Sequence, residues 1–273
     1  MDDLHVSHLR GVRQRRYMSR LYITCVLLLL LSYGALHAQP RGRIFGIDDT
    51  ADVIDHGRFD SLWRASLQRG LLRTDGAVSP AMTDYLRTLA TAQPDAFLPA
   101  ARQAFWTNAH MAAIMVVMHR RAGLRSTVAD TQLFARDTFM IAGARHTIES
   151  IASMVVDIHG TALACVLLGT GSTHAPPLLR TAATSRTMDR ILREQARRVL
   201  RSERFVFFDP GADAIQLSSF FAPFLTMMEQ ERGSVVQFLL PWLDDVIAAE
   251  CALRRASMRV LVADRIEKWR RRR

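Results

Sequence analysis

The stretch Phe139-Met140-Ile141-Ala142-Gly143-Ala144-Arg145-His146-Thr147-Ile148-Glu149-Ser150-Ile151-Ala152-Ser153-Met154-Val155-Val156 decides the fold class. Ala142-Gly143-Ala144 separates two short runs, Phe139-Met140-Ile141 and Arg145-His146-Thr147, in the pattern of a small hairpin. Thr147 suits a helix N-cap and Glu149 its first turn, which predicts a helix through Val156. A hairpin that feeds straight into a helix, inside a chain of mostly helical periodicity, selects an α+β domain.

Working towards the N-terminus, Phe59, Leu62, Trp63, Leu67 and Leu71 recur at helical spacing and predict one helix over 59–72, ended by Thr74-Asp75-Gly76. Ser79-Pro80 opens a second helix, as N-cap and first-turn proline, running to about Ala90. Leu98-Pro99 opens a long third helix closed by Gly123. Met111, Met115 and Met118 on it form a core stripe rather than a ligand groove.

Working towards the C-terminus, the apolar run 161–168 reads as a buried strand, followed by a Gly-rich loop and Pro176-Pro177. Residues 188–200 form an amphipathic helix with Arg and Glu on its outer face. Residues 204–208 and 214–217 flank Asp209-Pro210-Gly211 as a second hairpin. Two helices are expected around 220–228 and 235–253, begun or kinked by Pro223 and Pro241, and a last strand over 258–262. The sum is one helix-rich α+β domain with a small β-sheet and hairpins.

Composition agrees with a packed domain. With 49% apolar and 23% charged residues in 273, the chain is neither disordered nor fibrous and is long enough for a sizeable core. Three cysteines exclude a disulfide-dense scaffold. The net charge of +10 invites a nucleic-acid reading, but its distribution opposes one. Residues 1–38 hold five Arg against two Asp, and the last ten residues hold six basic groups against two acidic ones. The body between them keeps only about +3, which argues against a phosphate-binding stripe and against nucleic acid as a partner. Arg270, Arg271, Arg272 and Arg273 form a basic tail over 266–273. It reads as a solvated terminus, with peripheral contact to an anionic membrane surface as the rival.

The N-terminus carries an address. Arg13, Arg15, Arg16 and Arg20 precede the apolar run 21–31, and Ala35-Leu36-His37-Ala38 follows. That is a signal-peptide pattern over 1–38, too short in its apolar part for a span of roughly 18 residues. Met18 offers a more ordinary start, so residues 1–17 read as an over-extended beginning. An exported, periplasmic or secreted protein follows, with a single N-terminal membrane anchor as the alternative. A lead-in over 39–54 then precedes the domain at 55–265. Export leaves Cys165 and Cys251, which either pair in an oxidising compartment or, in their apolar surroundings, stay two separate buried thiols.

The chemistry-bearing residues are sparse. Cys165 and His174 have the residue types of a thiolate and its base, yet an apolar setting raises a thiol's pKa and silences it. Gly169-Thr170-Gly171-Ser172-Thr173 could cradle an anion on backbone N–H groups, but Pro176-Pro177 interrupts any dinucleotide or P-loop pattern, leaving a tight turn as the rival reading. The histidines show no metal-ligand spacing, and no metal or cofactor is expected. Asp157 and His159 alternate with Ile158 and are read as sharing a face. Asn108, a polar amide on an apolar helix, is read first as satisfying buried groups.

Ala104-Phe105-Trp106-Thr107-Asn108-Ala109-His110 resembles the Ala-Phe-Trp-x-Asn-x-Tyr-Asn helix of the family catalogued as domain of unknown function 547. Gly143 with the helix after it, 165–178 ending in Pro176-Pro177-Leu178, Glu194-Gln195-Ala196-Arg197-Arg198, Leu217-Ser218 and Gly233-Ser234-Val235 fall in the family's order. The resemblance covers about 55–265. The family's His, Asn and Cys before Pro-Pro fall on Cys165, Gly169 and Ala175, and its Glu-His pair falls on Ala152 and Ser153. Its second Asn falls on Met111, and its Lys and Trp on Ser219 and Pro223. Trp106, Asn108, Gly171 and Asp264 remain. The resemblance therefore implies a degenerate, non-catalytic member that works by binding an unidentified ligand or protein, with Trp106, Asn108, Gly169 and Gly171 as candidate binding residues. The alternative is a hydrolase or transferase using Asn108, Cys165, His174 and Asp264.

Overall fold

The computed structural model describes residues 53–68, 71–72, 78–120, 137–172, 174–254 and 257–263. Every described residue lies in the unit Asp49–Arg273. The 1–38 leader, the Thr74-Asp75-Gly76 turn, Gly123, Asp264 and the arginine tail fall outside the described residues.

This unit is built round one helix. Helix α3 (Pro99–Arg120) is buried without a break from Ala104 to Val117. A helix apolar on every side belongs in a core, not on a surface. The methionine stripe fits that position, since Met111 and Met115 are buried and Met118 packs against the core. The same burial swallows Thr107, Asn108 and His110, so each needs a partner inside the protein.

Helices α1 (Gly57–Ser66) and α2 (Pro80–Thr91) precede it. Ser79 caps α2, its hydroxyl accepting from the Met82 N–H, with Pro80 in the first turn. Helix α1 stops six residues short of the expected end. Leu67–Gln68 (β1) and Leu71–Leu72 (β2) instead pair antiparallel. Leu67 and Leu71 keep helical spacing from Phe59, but two-residue strands can carry the same apolar spacing, so periodicity alone did not separate them.

The central hairpin forms as its sequence dictates. Strands β3 (Thr138–Ile141) and β4 (Ala144–Thr147) pair antiparallel, Thr138 opposite Thr147 and Ile141 opposite Ala144. Both turn residues, Ala142 (φ 52°) and Gly143 (φ 76°), are left-handed, as a two-residue turn of this hand requires. Their N–H groups donate to the Leu89 and Ala90 carbonyls at 2.9 and 2.8 Å, so the turn satisfies the last turn of α2. Thr147 then caps α4 (Ile148–His159), accepting from the Ser150 N–H, and left-handed Gly160 ends it. Helix α4 packs along α3. Asp157 and His159 are therefore two residues apart on a helix, on different sides, and do not share a face.

The apolar run 161–168 is not a strand. Ala162–Leu167 forms a 3-10 helix, all six residues buried. Thr161 caps it through the Leu163 N–H, and the Glu231 carboxylate takes the Thr161 hydroxyl and the Ala162 N–H. A short, uniformly apolar run has no period, so sequence does not distinguish a buried strand from a buried turn of helix.

Helix α5 (Met188–Leu200) is as amphipathic as expected, burying Met188, Ile191, Leu192, Gln195, Ala196, Val199 and Leu200. Strands β5 (Val206–Asp209) and β6 (Ala214–Ser218) make the second hairpin. A 3-10 turn over Ser219–Phe224 holds Pro223 and leads into α6 (Leu225–Arg232). The expected 235–253 helix is broken into α7 (Val235–Leu239), a 3-10 turn over Leu240–Trp242 holding Pro241, and α8 (Asp245–Arg254). Strand β7 (Arg259–Ala263) adds parallel to β6, giving the sheet order β5-β6-β7. The unit is helix-rich α+β, with its strands in small separate sheets.

Candidate functional site

The described residues of 168–187, between the 3-10 helix and α5, have no regular secondary structure. Backbone polar groups in such a segment need partners from elsewhere when they are buried. Side chains of four neighbouring segments supply them. Asn108 of α3 grips Ala183 from both sides, its Nδ2 donating to the Ala183 carbonyl at 2.7 Å and its Oδ1 accepting the Ala183 N–H at 2.8 Å. Trp63 of α1 donates Nε1–H to the Leu179 carbonyl at 2.8 Å, and Asp60 of α1 accepts the Ala182 N–H at 2.7 Å. Gln195 and Arg198 of α5 donate to the Pro177 and Leu178 carbonyls at 2.5 and 3.2 Å. Arg204 donates to the Ser172 and Ala175 carbonyls at 3.2 and 3.3 Å. The segment is a strap, fastened residue by residue.

One close approach completes it. A Cβ on Gly169 would lie 2.8 Å from the Pro177 carbonyl oxygen and 3.0 Å from the Leu178 backbone. Glycine at 169 lets the two ends of the strap's first loop touch backbone to backbone. Gly171 holds φ 77° in the same loop.

These contacts place the sequence candidates. Asn108 is fully buried and its amide is spent on Ala183. Trp106 is 3% exposed and stands edge-on to Phe105 and to His146, with ring centroids 5.3 and 5.4 Å apart, so it is core rather than a binding surface. Cys165 is fully buried, and burial, then the Glu231 carboxylate, pushes its thiol far above the ordinary range. His174 is exposed on the strap. Cys165 and Cys251 are both free and buried. The Gly169–Ser172 loop uses its own hydroxyls: Thr170 Oγ1 accepts the Ser172 N–H at 3.4 Å and Ser172 Oγ accepts the His174 N–H at 3.1 Å. Those N–H groups are therefore occupied, which favours the tight-turn reading over an anion cradle. Among the described residues no three His, Cys, Asp or Glu side chains gather as a metal site, and no helix is long and apolar enough to cross a membrane.

Burial keeps two histidines, His110 and His159, neutral near pH 7. Burial lowers His110 to about 4, and its Nδ1 has no hydrogen-bond partner. Burial likewise lowers His159 to about 4; its Nε2 lies 3.5 Å from Thr107 Oγ1.

Concavity appears on the outer side of the strap. A cleft of about 490 Å³ lies between Leu179-Arg180-Thr181 and the α5 face made by Arg190, Ile191, Glu194, Gln195 and Arg198. Arg190 bonds both Glu194 oxygens, at 3.0 and 3.1 Å. Burial, and then the Arg180 guanidinium, lowers Arg198 from its usual range. Sequence reasoning did not find Asp60, Trp63, Arg180, Gln195 or Arg198. The signal within reach was the buried Gln195 position on the apolar face of an otherwise cleanly amphipathic helix. No family model, curated protein or solved structure matches this chain.

Proposed function

We propose that this chain is an exported, non-catalytic binding protein on a frame similar to domain of unknown function 547, and that its ligand sits in the cleft between the strap and α5. The observation that carries the reading is the employment of Asn108. The amide that the resemblance leaves in place is buried and holds Ala183 through both its Nδ2 and its Oδ1. Cys165 supports it further, since a fully buried thiol pushed upward is neither accessible nor a thiolate. The strap is fastened from behind by Asp60, Trp63 and Asn108, which gives the cleft a fixed wall. Export rests on the basic and apolar segments before Ala38.

The test is thermal unfolding against a panel of phospho-compounds, carboxylates, sugars, peptides and divalent metals, repeated on Thr181→Trp, which fills the cleft. A ligand at about 100 times its Kd adds about 2.7 kcal/mol. A shift that Thr181→Trp removes is the expected result. Steady turnover of any panel compound overturns the non-catalytic reading, and a panel without a cleft-dependent shift overturns the site. Recovery of the natural protein in the cytoplasm with its leader intact overturns export.

A further inference from the structure

The charge in the cleft is uneven. Glu194 is neutralised by Arg190, which takes both of its oxygens. Arg180 and Arg198 also line the cleft, and among the described residues neither has a carboxylate partner. Arg198 spends one N–H on a neutral carbonyl, that of Leu178. Arg198, Arg180 and Thr181 line the same cleft.

Both arginines are exposed, and the backbone that carries each is fixed. Arg180 follows Leu179, whose carbonyl is bound by Trp63, and lies two residues before Ala182, whose N–H is bound by Asp60. Arg198 sits on α5 and is tied to the strap itself. The floor is apolar, formed by buried Ile191 and Leu179. Two forked guanidinium groups and a hydroxyl over an apolar floor offer more donors than a carboxylate's two oxygens can use. A phosphate monoester offers three oxygens and up to two negative charges, and guanidinium matches it bidentately.

We infer that the cleft binds the phosphate group of a small phosphorylated ligand, held between Arg180 and Arg198 with Thr181 as an added donor. The inference rests on the binding reading above and names its ligand class. It does not extend to polymers: of the cations that line the cleft, Arg190 is paired with Glu194, which leaves Arg180 and Arg198 alone without a carboxylate partner among the described residues.

The test is calorimetric titration of the full chain with inorganic phosphate and with phenyl phosphate, using acetate at matched ionic strength as the comparison. Saturable one-to-one phosphate binding is expected, weakened about tenfold or more by Arg180→Gln. Arg180 makes no hydrogen bond in the described structure, so that variant should unfold at the wild-type temperature and report on binding alone. Arg193→Gln should leave phosphate binding nearly unchanged, since Arg193 pairs with Asp189 and neither lines the cleft. Phosphate binding that Arg180→Gln leaves unchanged overturns the assignment. So does acetate binding as tightly as phosphate. If a neutral sugar or peptide shifts the unfolding temperature, Thr181→Trp removes the shift, and phosphate does not bind, the cleft survives as a site and the phosphate inference fails. If no compound shows a cleft-dependent effect, both fail.

Discussion

Replacing Asn108 by Ala should unlatch the strap. The substitution removes two hydrogen bonds, of 2.7 and 2.8 Å, and strands the buried Ala183 N–H and carbonyl. Ala183 is fully buried, so water cannot replace the amide without opening the structure. Each stranded buried polar group costs about 1–3 kcal/mol, which gives roughly 2–6 kcal/mol for the pair before any cavity cost. A domain of this size has about 5–15 kcal/mol in all. At about 2–4 °C per kcal/mol the midpoint should fall by on the order of 10 °C. Asn108→Asp separates the two bonds. Its carboxyl can still accept from the Ala183 N–H, but it can donate to the Ala183 carbonyl only when protonated. Burial against that carbonyl raises its folded pKa above the unfolded value of about 3.9. The protonated form's stability is therefore fully present below that value and is lost as pH rises through the folded pKa. Urea unfolding of wild type, Asn108→Ala and Asn108→Asp at several pH values measures both effects. An Asn108→Ala loss under about 1 kcal/mol, with an unchanged m-value, would refute the latch. An Asp variant with no pH dependence would refute the donor assignment.

Three other outcomes follow from the same structure. Gly169→Ala should destabilise more than Gly143→Ala. The first drives a Cβ to 2.8 Å from a backbone oxygen, whereas the second meets nothing within 4 Å and costs only its left-handed φ, about 1–2 kcal/mol; equal losses in urea unfolding would count against the close approach. Cys165 should not react with a soluble disulfide reagent in the native protein and should react once urea opens it, because burial hides the thiol and pushes it upward; rapid native labelling at Cys165, read by mass spectrometry, would contradict this. Stability should fall as pH drops from about 6.5 towards about 4, because unfolded His110 takes up a proton that folded His110 refuses. His110 and His159 each contribute up to about 1.4 kcal/mol per pH unit in that window, so His110→Leu should remove about half of the slope there, and an unchanged slope would place the proton uptake elsewhere.

Local chemistry was legible in the sequence wherever one residue dictates one backbone state. Ser79-Pro80, Ala142-Gly143, Thr147 and Asp209-Pro210-Gly211 each fix a cap or a turn within a few residues, and each element they predict is there. The amphipathic 188–200 helix was legible for the same reason, since its period is strong and its length sufficient. Asn108 was also legible as a buried amide in need of partners, though not which partners.

What the sequence could not settle depended on contacts across long separations. The run 161–168 has no period, and it became a 3-10 helix with Glu231, about seventy residues away in sequence, at its N-terminal end. The 59–72 periodicity fitted a helix, and the chain turned into a two-strand hairpin instead. The helices between β6 and β7 were expected, but no local pattern announces the parallel pairing of the two strands. The cleft joins a strap residue, Arg180, to a helix residue, Arg198, through the fastening of Leu178, Leu179 and Ala182. Sequence determined the strongly periodic helices, the caps, the hairpin turns and the α+β class, because backbone propensity and burial period act over a few residues. Tertiary structure alone decided that Asn108 is a latch and that two arginines share a cleft, because a side chain's partner is set by packing between segments distant along the chain.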